Sequence, residues 1–219
     1  MERLYTEILL LLESIWNPEA LQIIRDLAVI IASIVTILGI SAWKREFKGK
    51  RDMELAEDVL CLFYRAEHVI EAIRFPLYDL AEGQSRQHER DETPKQKQAR
   101  DRAYVVFKKI MEHRDIFDEL YKVRFRFMAR FGKANAKPFD EMKRIVDTIW
   151  VSARRLAELW AKDPPISGRS QATQNQIDKH QAVIWQGWGE DKIETQLRQI
   201  VKSIEEICRP IIEGSHTKL

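Results

Sequence analysis

The side chains that could do chemistry are few and scattered. His68, His113 and His180 have Arg65, Ile110 and Ile177 three positions before them. A carboxylate-bridged di-iron site in a helical bundle needs Glu-x-x-His on two helices, so that chemistry is excluded. Cys61 and Cys208 form no C-x-x-C pair and have no zinc-ligand spacing. They read as small buried residues in a reducing compartment. Neither a Gly-rich phosphate loop nor a G-x-S-x-G elbow occurs. The sequence therefore assigns no catalytic residue, no metal ligand and no cofactor, and no small-molecule substrate is evident in it.

The charged side chains are more organised. Lys122, Arg126, Arg130 and Lys133 recur at helical spacing, and no acid lies between Glu119 and Asp140. They form a basic surface stripe, extended by Lys137. Such a stripe is first a solvated face; anionic lipid, an acidic protein partner or, less favoured, a nucleic-acid backbone would also suit it. Phe127 and Phe131 fall on the opposite side of this helix, so the stripe has no stacking platform for bases. Two further polar residues, His113 and Arg124, project within the apolar arc of Phe117, Leu120 and Phe127. They are expected as buried polar groups. A buried guanidinium needs a carboxylate, and Asp58, at the edge of the preceding stripe, is one candidate partner of Arg124.

These residues are positioned by a chain organised around Leu27–Trp43, seventeen residues without a charge. As a helix it covers about 25 Å, slightly short of a bilayer core of about 30 Å. Leu21, Ile23 and Ile24 lengthen it if Arg25 and Asp26 snorkel. Asn17, Pro18 and Glu19 supply cap, first-turn proline and first-turn acid, and Trp16 and Trp43 bracket the span like interfacial anchors. Residues 44–51 carry five basic side chains and one acid, whereas residues 1–26 carry two basic and five acidic. Positive charge stays on the cytoplasmic side, which predicts an outside N-terminus and a cytoplasmic bulk. Ala28, Ala32, Thr36 and Gly39 share one face of the span, where small residues allow close self-association in lipid.

The expected organisation is a short amphipathic interfacial helix over 1–17, a transmembrane helix over 18–43, a basic juxtamembrane segment over 44–51, a helical bundle over 52–213 and a tail over 214–219. The first residues lack the features of a cleaved signal peptide, because Glu7 and Glu13 interrupt the apolar run. Residues 52–219 hold 29 basic and 28 acidic side chains, which excludes a whole-domain nucleic-acid footprint.

Helical periodicity recurs through the bundle. Leu55, Val59, Leu62, Ala66, Val69 and Ile73 form the first stripe, ending near Phe75-Pro76. Only Gly49 separates this helix from the span. Residues 83–98 hold no large apolar side chain and read as a mobile solvated loop. One long helix is expected over Ala99–Phe131, stopped by Gly132. Others start at Pro138, carrying Met142, Ile145, Ile149, Ala153, Leu156 and Trp160, and near Thr173, carrying Ile177, Ile184 and Trp185. The last carries Ile193, Leu197, Ile200, Ile204, Ile207 and Ile211. No segment alternates with period two. The fold class is all-α, one transmembrane helix followed by a cytoplasmic antiparallel helical bundle.

Two resemblances bear on function. Trp43-Lys-Arg-Glu-Phe-Lys-Gly-Lys-Arg51, with the helix to Arg74-Phe75-Pro76, resembles a loose group of uncharacterised bacterial single-pass membrane proteins. That likeness implies a bacterial inner-membrane setting and no activity. Arg209-PIIEGS-His216 is similar in spacing to the Arg…His pair of HEPN-type ribonucleases, but it crosses Pro210 and Gly214. The leading expectation is a non-enzymatic inner-membrane protein whose bundle binds a protein partner or forms a homo-oligomer, with the lipid bilayer as its other partner. A membrane-tethered HEPN-like nuclease and a membrane-perturbing or pore-forming effector are the alternatives.

Overall fold

A computed structural model describes residues 6–7, 18–76, 83–162, 170–187 and 191–214. Among them all regular structure is helical: α1 (Pro18–Arg74), α2 (Pro94–Glu112), α3 (Arg114–Phe131), a 3-10 turn (Lys133–Ala136), α4 (Lys137–Lys162), α5 (Gln171–Ile184) and α6 (Lys192–Gly214). Most of the expected helix over 1–17, with Trp16 and Asn17, and the expected tail beyond Gly214, with His216, lie outside the described residues. The chain divides into two compact units, Met1–Arg51 and Asp52–Leu219.

In the first unit α1 opens with Glu19 in its first turn and is not interrupted by Gly49. The path from the span, with Gly49 as its one expected interruption, is helical throughout Pro18–Arg74. Every side chain from Leu21 through Lys48 is exposed, including Val29, Ile37 and Leu38. With a mean hydropathy of 2.3 in its best stretch, this is a helix long and apolar enough to cross a membrane. Its three hydroxyls are satisfied within the helix. Ser33, Thr36 and Ser41 donate to the carbonyls of Val29, Ala32 and Ile37 at 2.7, 2.7 and 2.9 Å. None of these three hydroxyls therefore demands an outside partner.

The second unit is built on one apolar core. From residue 52, α1 buries Leu55, Ala56, Val59, Phe63, Ala66, Ile70 and Ile73 along one stripe. Leu62, expected in that stripe, is only half-buried, and Phe63 takes the centre. Phe63 meets Phe139 edge to face at 4.9 Å, and Phe127 lies 5.4 Å from the same ring. Helix α4 packs against α2, α3, α5 and α6, so it forms the inner wall that the other helices share. It follows the expected pattern through Met142, Ile145, Ile149, Ala153 and Leu156, all buried. Helix α6 keeps Ile193, Leu197, Ile200 and Ile204 buried, but Ile207 and Ile211 drift to the edge and Cys208 takes the inner position. A helix of 3.6 residues per turn does not hold a strict seven-residue stripe without supercoiling.

The single helix expected over Ala99–Phe131 is two. The chain leaves helical geometry at His113 (φ −108°, ψ 18°), which caps α2 and precedes α3. That break re-phases the second half: Ile116, Leu120, Val123 and Phe127 are buried, whereas Phe117 and Phe131 are half-buried. Helix α2 also starts earlier than expected. Thr93 and Gln96 form a capping box ahead of the apolar run, with Pro94 at the first position. Gly132 ends α3 at φ 94°, ψ 154°, a conformation essentially reserved for glycine. Cys208 is buried as expected, but Cys61 is exposed: it sits on the outer side of α1, out of phase with the stripe.

Candidate functional site

The structure separates the residues that spacing had grouped. Lys122, Arg126 and Lys133 are exposed and have no ion-pair partner among the described residues. Arg130 is different, because its guanidinium forks onto both carboxylate oxygens of Asp52. The stripe is thus interrupted by an ion pair between α3 and the start of the second unit. Ala28, Ala32, Thr36 and Gly39 share an exposed face of α1, and a Cβ placed at Gly39 would meet nothing within 4 Å.

His113 and Arg124 are half-buried rather than buried, which corrects their expected placement. The break at His113 turns both residues to the rim of the core. Arg124 pairs at 2.9 Å with Asp140 on α4, not with Asp58, which is exposed. Among the described residues the buried polar ones are Arg74, Ser152 and Gln181. Ser152 lies 3.2 Å from Nδ1 of His180, whose pKa is lowered by burial and by the nearby Lys179 and Arg155. Arg209 is engaged with Glu205 at 3.0 Å and with the Tyr64 hydroxyl at 3.2 Å, so it is tied into a surface cluster.

Arg74, which spacing did not single out, is the polar centre of the second unit. Its Nε donates to the Val183 carbonyl at 2.8 Å, and its Nη2 donates to the Ala182 and Trp185 carbonyls, each at 3.2 Å. The same nitrogen lies 2.8 Å from Oδ1 of Asp191. That oxygen also accepts from the backbone N–H of Glu194 at 2.9 Å, at the start of α6. One guanidinium thus satisfies the free carbonyls ending α5 and orients the carboxylate that starts α6. Burial alone would raise the Asp191 pKa, but Arg74 and the backbone donors outweigh it and lower it.

A second polar network occupies the segment expected to be a mobile loop. Arg86 donates to Glu92 at 2.5 Å and to Asp101 at 2.9 Å. Arg100 donates to Glu92 at 2.6 Å and to Glu89 at 2.7 Å. His88 lies 3.1 Å from the same Asp101. Gly83 packs so closely on the Asp101 carbonyl that a Cβ there would clash with backbone. Hydrogen bonding from Arg86, with a second contribution from Arg100, holds the Glu92 carboxyl down to about 2 against the effect of burial. This segment is therefore tied by charge rather than by apolar packing.

Beside the network lies a cleft of about 980 Å³. Its wall is a pair of indoles, Trp160 of α4 and Trp185 after α5, with ring centroids 6.0 Å apart and planes inclined by 24°. The Arg102 guanidinium lies 4.5 Å from the first ring centroid and 4.6 Å from the second. Arg102 is an exposed residue by surface area; partial desolvation of its guanidinium lowers its pKa, yet a guanidinium remains charged at neutral pH. No carboxylate pairs with it among the described residues. His88, Lys95, Lys97 and Asp101 stand on the same cleft. A smaller groove of about 510 Å³ lies between α2 and α4, lined by Tyr104, Phe107, Lys108, Met111, Glu112 and Trp150. Arg102, Trp160 and Trp185 come from three separate segments, and nothing in their spacing announces that they meet. Comparison with protein-family models, with curated proteins and with solved structures finds no match to this chain.

Proposed function

We propose that the protein is a non-enzymatic, single-pass inner-membrane protein of bacteria. In this reading its N-terminus lies outside, and its cytoplasmic part, an antiparallel helical bundle, docks a protein partner or a second copy of the chain. One observation carries the reading. Helix α1 exposes apolar side chains all round from Leu21 to Phe47, whereas from Leu55 onward it buries a single stripe. A water-soluble surface does not leave so long an apolar girdle uncovered; a bilayer supplies the missing cover. The charge difference between residues 44–51 and 1–26 supports the orientation.

The docking role is supported by Met111, Trp150 and Val151, which are 51%, 39% and 54% exposed on the outer side of α2 and α4. Self-association would use Ala28, Ala32, Thr36 and Gly39 within the lipid. Cross-linking in native membranes separates the two cases: a ladder of this chain alone supports self-assembly, and adducts with another protein support a partner.

Topology has a direct test because Cys61 is exposed and Cys208 is buried. A membrane-impermeant maleimide applied to intact cells leaves the native chain unlabelled and labels Glu2→Cys. Permeabilisation then exposes Cys61. Labelling of Cys61 in intact cells overturns the orientation.

A further inference from the structure

We infer that the cleft beside Trp160 and Trp185 binds a phosphate-bearing small molecule, gripped by the guanidinium of Arg102. This assignment is independent of the membrane reading.

The argument begins with what surrounds Arg102. Most guanidiniums of the second unit have a carboxylate: Arg65 has Glu119, Arg74 has Asp191, Arg124 has Asp140 and Arg130 has Asp52. Arg102 has none. The carboxylates nearest to it in the chain are already engaged, since Asp101 faces Arg86 and His88, and Glu92 faces Arg86 and Arg100. What holds Arg102 is its place over two indoles. A cation–π contact of this kind uses the charge and leaves the N–H donors without an acceptor. The result is a guanidinium on the wall of a cleft, with no acceptor from the protein among the described residues.

The rest of the cleft favours the same ligand. Lys95 and Lys97 add two positive charges, and His88 can add a third, against the single carboxylate of Asp101. The first turn of α2, with Pro94 and Lys95, brings the positive end of a helix dipole to the rim. Several cations converging on one opening suit a phosphate, which carries up to two charges, better than a carboxylate, which carries one. Val105 and the indoles supply an apolar wall for the organic body of such a molecule. The cleft volume of about 980 Å³ is at the upper end of small-molecule sites.

The phosphate could belong to a soluble metabolite or to a lipid headgroup, and the test distinguishes them. Full-length protein in a neutral detergent is titrated with pyrophosphate, with dihexanoyl phosphatidic acid and with acetate. Tryptophan fluorescence, to which Trp160 and Trp185 contribute, follows the titration, and calorimetry checks it. The expected result is saturable binding of one or both phosphates, and acetate weaker by at least about 10-fold. Tighter binding of pyrophosphate assigns a soluble ligand; tighter binding of the phosphatidic acid assigns a lipid.

Arg102→Gln should weaken phosphate binding by about 10- to 100-fold, the loss expected for charge-assisted hydrogen bonds. Arg102→Lys keeps the charge without the fork and should lie between. Lys202→Gln, exposed on α6, should bind like the native chain. Helical content measured by circular dichroism on the same samples identifies a variant that has failed to fold, and Arg102→Lys then carries the test. Absence of saturable phosphate binding by the native protein overturns the assignment, as does native-like affinity in folded Arg102→Gln.

Discussion

Arg74→Ala should be among the most damaging single substitutions in the second unit. Arg74 is 2% exposed, and its removal strands the carbonyls of Ala182, Val183 and Trp185 together with the Asp191 carboxylate. Breaking a buried pair from one side costs about 3–5 kcal/mol, because the remaining charge stays without its counterion. Asp191 is 10% exposed, so little water reaches it to offset that loss. The assay is urea denaturation of residues 52–219, followed by circular dichroism. With a slope of about 2 kcal/mol per molar urea, the midpoint should fall by about 2 M. Arg74→Lys keeps the charge but cannot reach three carbonyls and a carboxylate from one fork, so its loss should be intermediate. The double variant Arg74→Met with Asp191→Leu removes both charges and should recover part of the deficit. A midpoint for Arg74→Ala within about 0.3 M of the native fragment would refute the reasoning. The pH dependence has a definite sign. The Asp191 pKa is lowered in the folded chain, so its contribution is present above the ordinary aspartate range and fades as pH falls through the lowered value.

Three further outcomes follow from the same geometry. Arg124→Ala should cost about 1 kcal/mol or less, because Asp140 is 51% exposed; Arg126→Ala, which has no ion pair, should cost less than about 0.5 kcal/mol, and a loss near that of Arg74→Ala at either position would show the rim placement to be wrong. Acid titration of the urea midpoint should show the native fragment losing stability as pH falls from about 4.5 toward about 2, the interval between the ordinary and lowered Glu92 pKa, and Glu92→Gln should be flatter there. An aromatic disulfide reagent should modify one thiol in the native chain, Cys61, and two after denaturation, because burial pushes the Cys208 thiol up to about 12. Two reactive thiols without denaturant would contradict the packing of α6.

Periodicity made most of the buried residues legible. The stripes through Leu55–Ile73, Met142–Leu156 and Ile193–Ile204 were readable because a side chain's phase on a helix depends only on its neighbours along the chain. Between Ala103 and Phe131 the same rule held at Ala103, Val106, Ile110, Leu120 and Phe127 but missed at Phe117, Arg124 and Phe131. It extrapolated one phase through His113, where the chain leaves helical geometry, and so displaced Phe117 and Arg124 inward. No strong breaker marks that position, since neither proline nor glycine is present there.

Local sequence therefore determined the helical class, the uncharged stretch Leu27–Trp43 and the apolar faces, because each depends on contacts a few residues apart. It could not determine which charge meets which. Arg74 reaches Asp191 across 117 positions, Arg130 reaches Asp52 across 78, and Arg102 reaches two indoles on other segments. A surface arginine and a buried one look the same in sequence, since both are followed by helix-forming neighbours. Only the tertiary fold sets the dielectric, the partner and the exposure of each guanidinium. That is why the costly ion pair lies at Arg74 rather than Arg124, and why Arg102, with no carboxylate partner among the described residues, stands over two indoles in a cleft while Arg126, equally without one, stands on the open basic stripe.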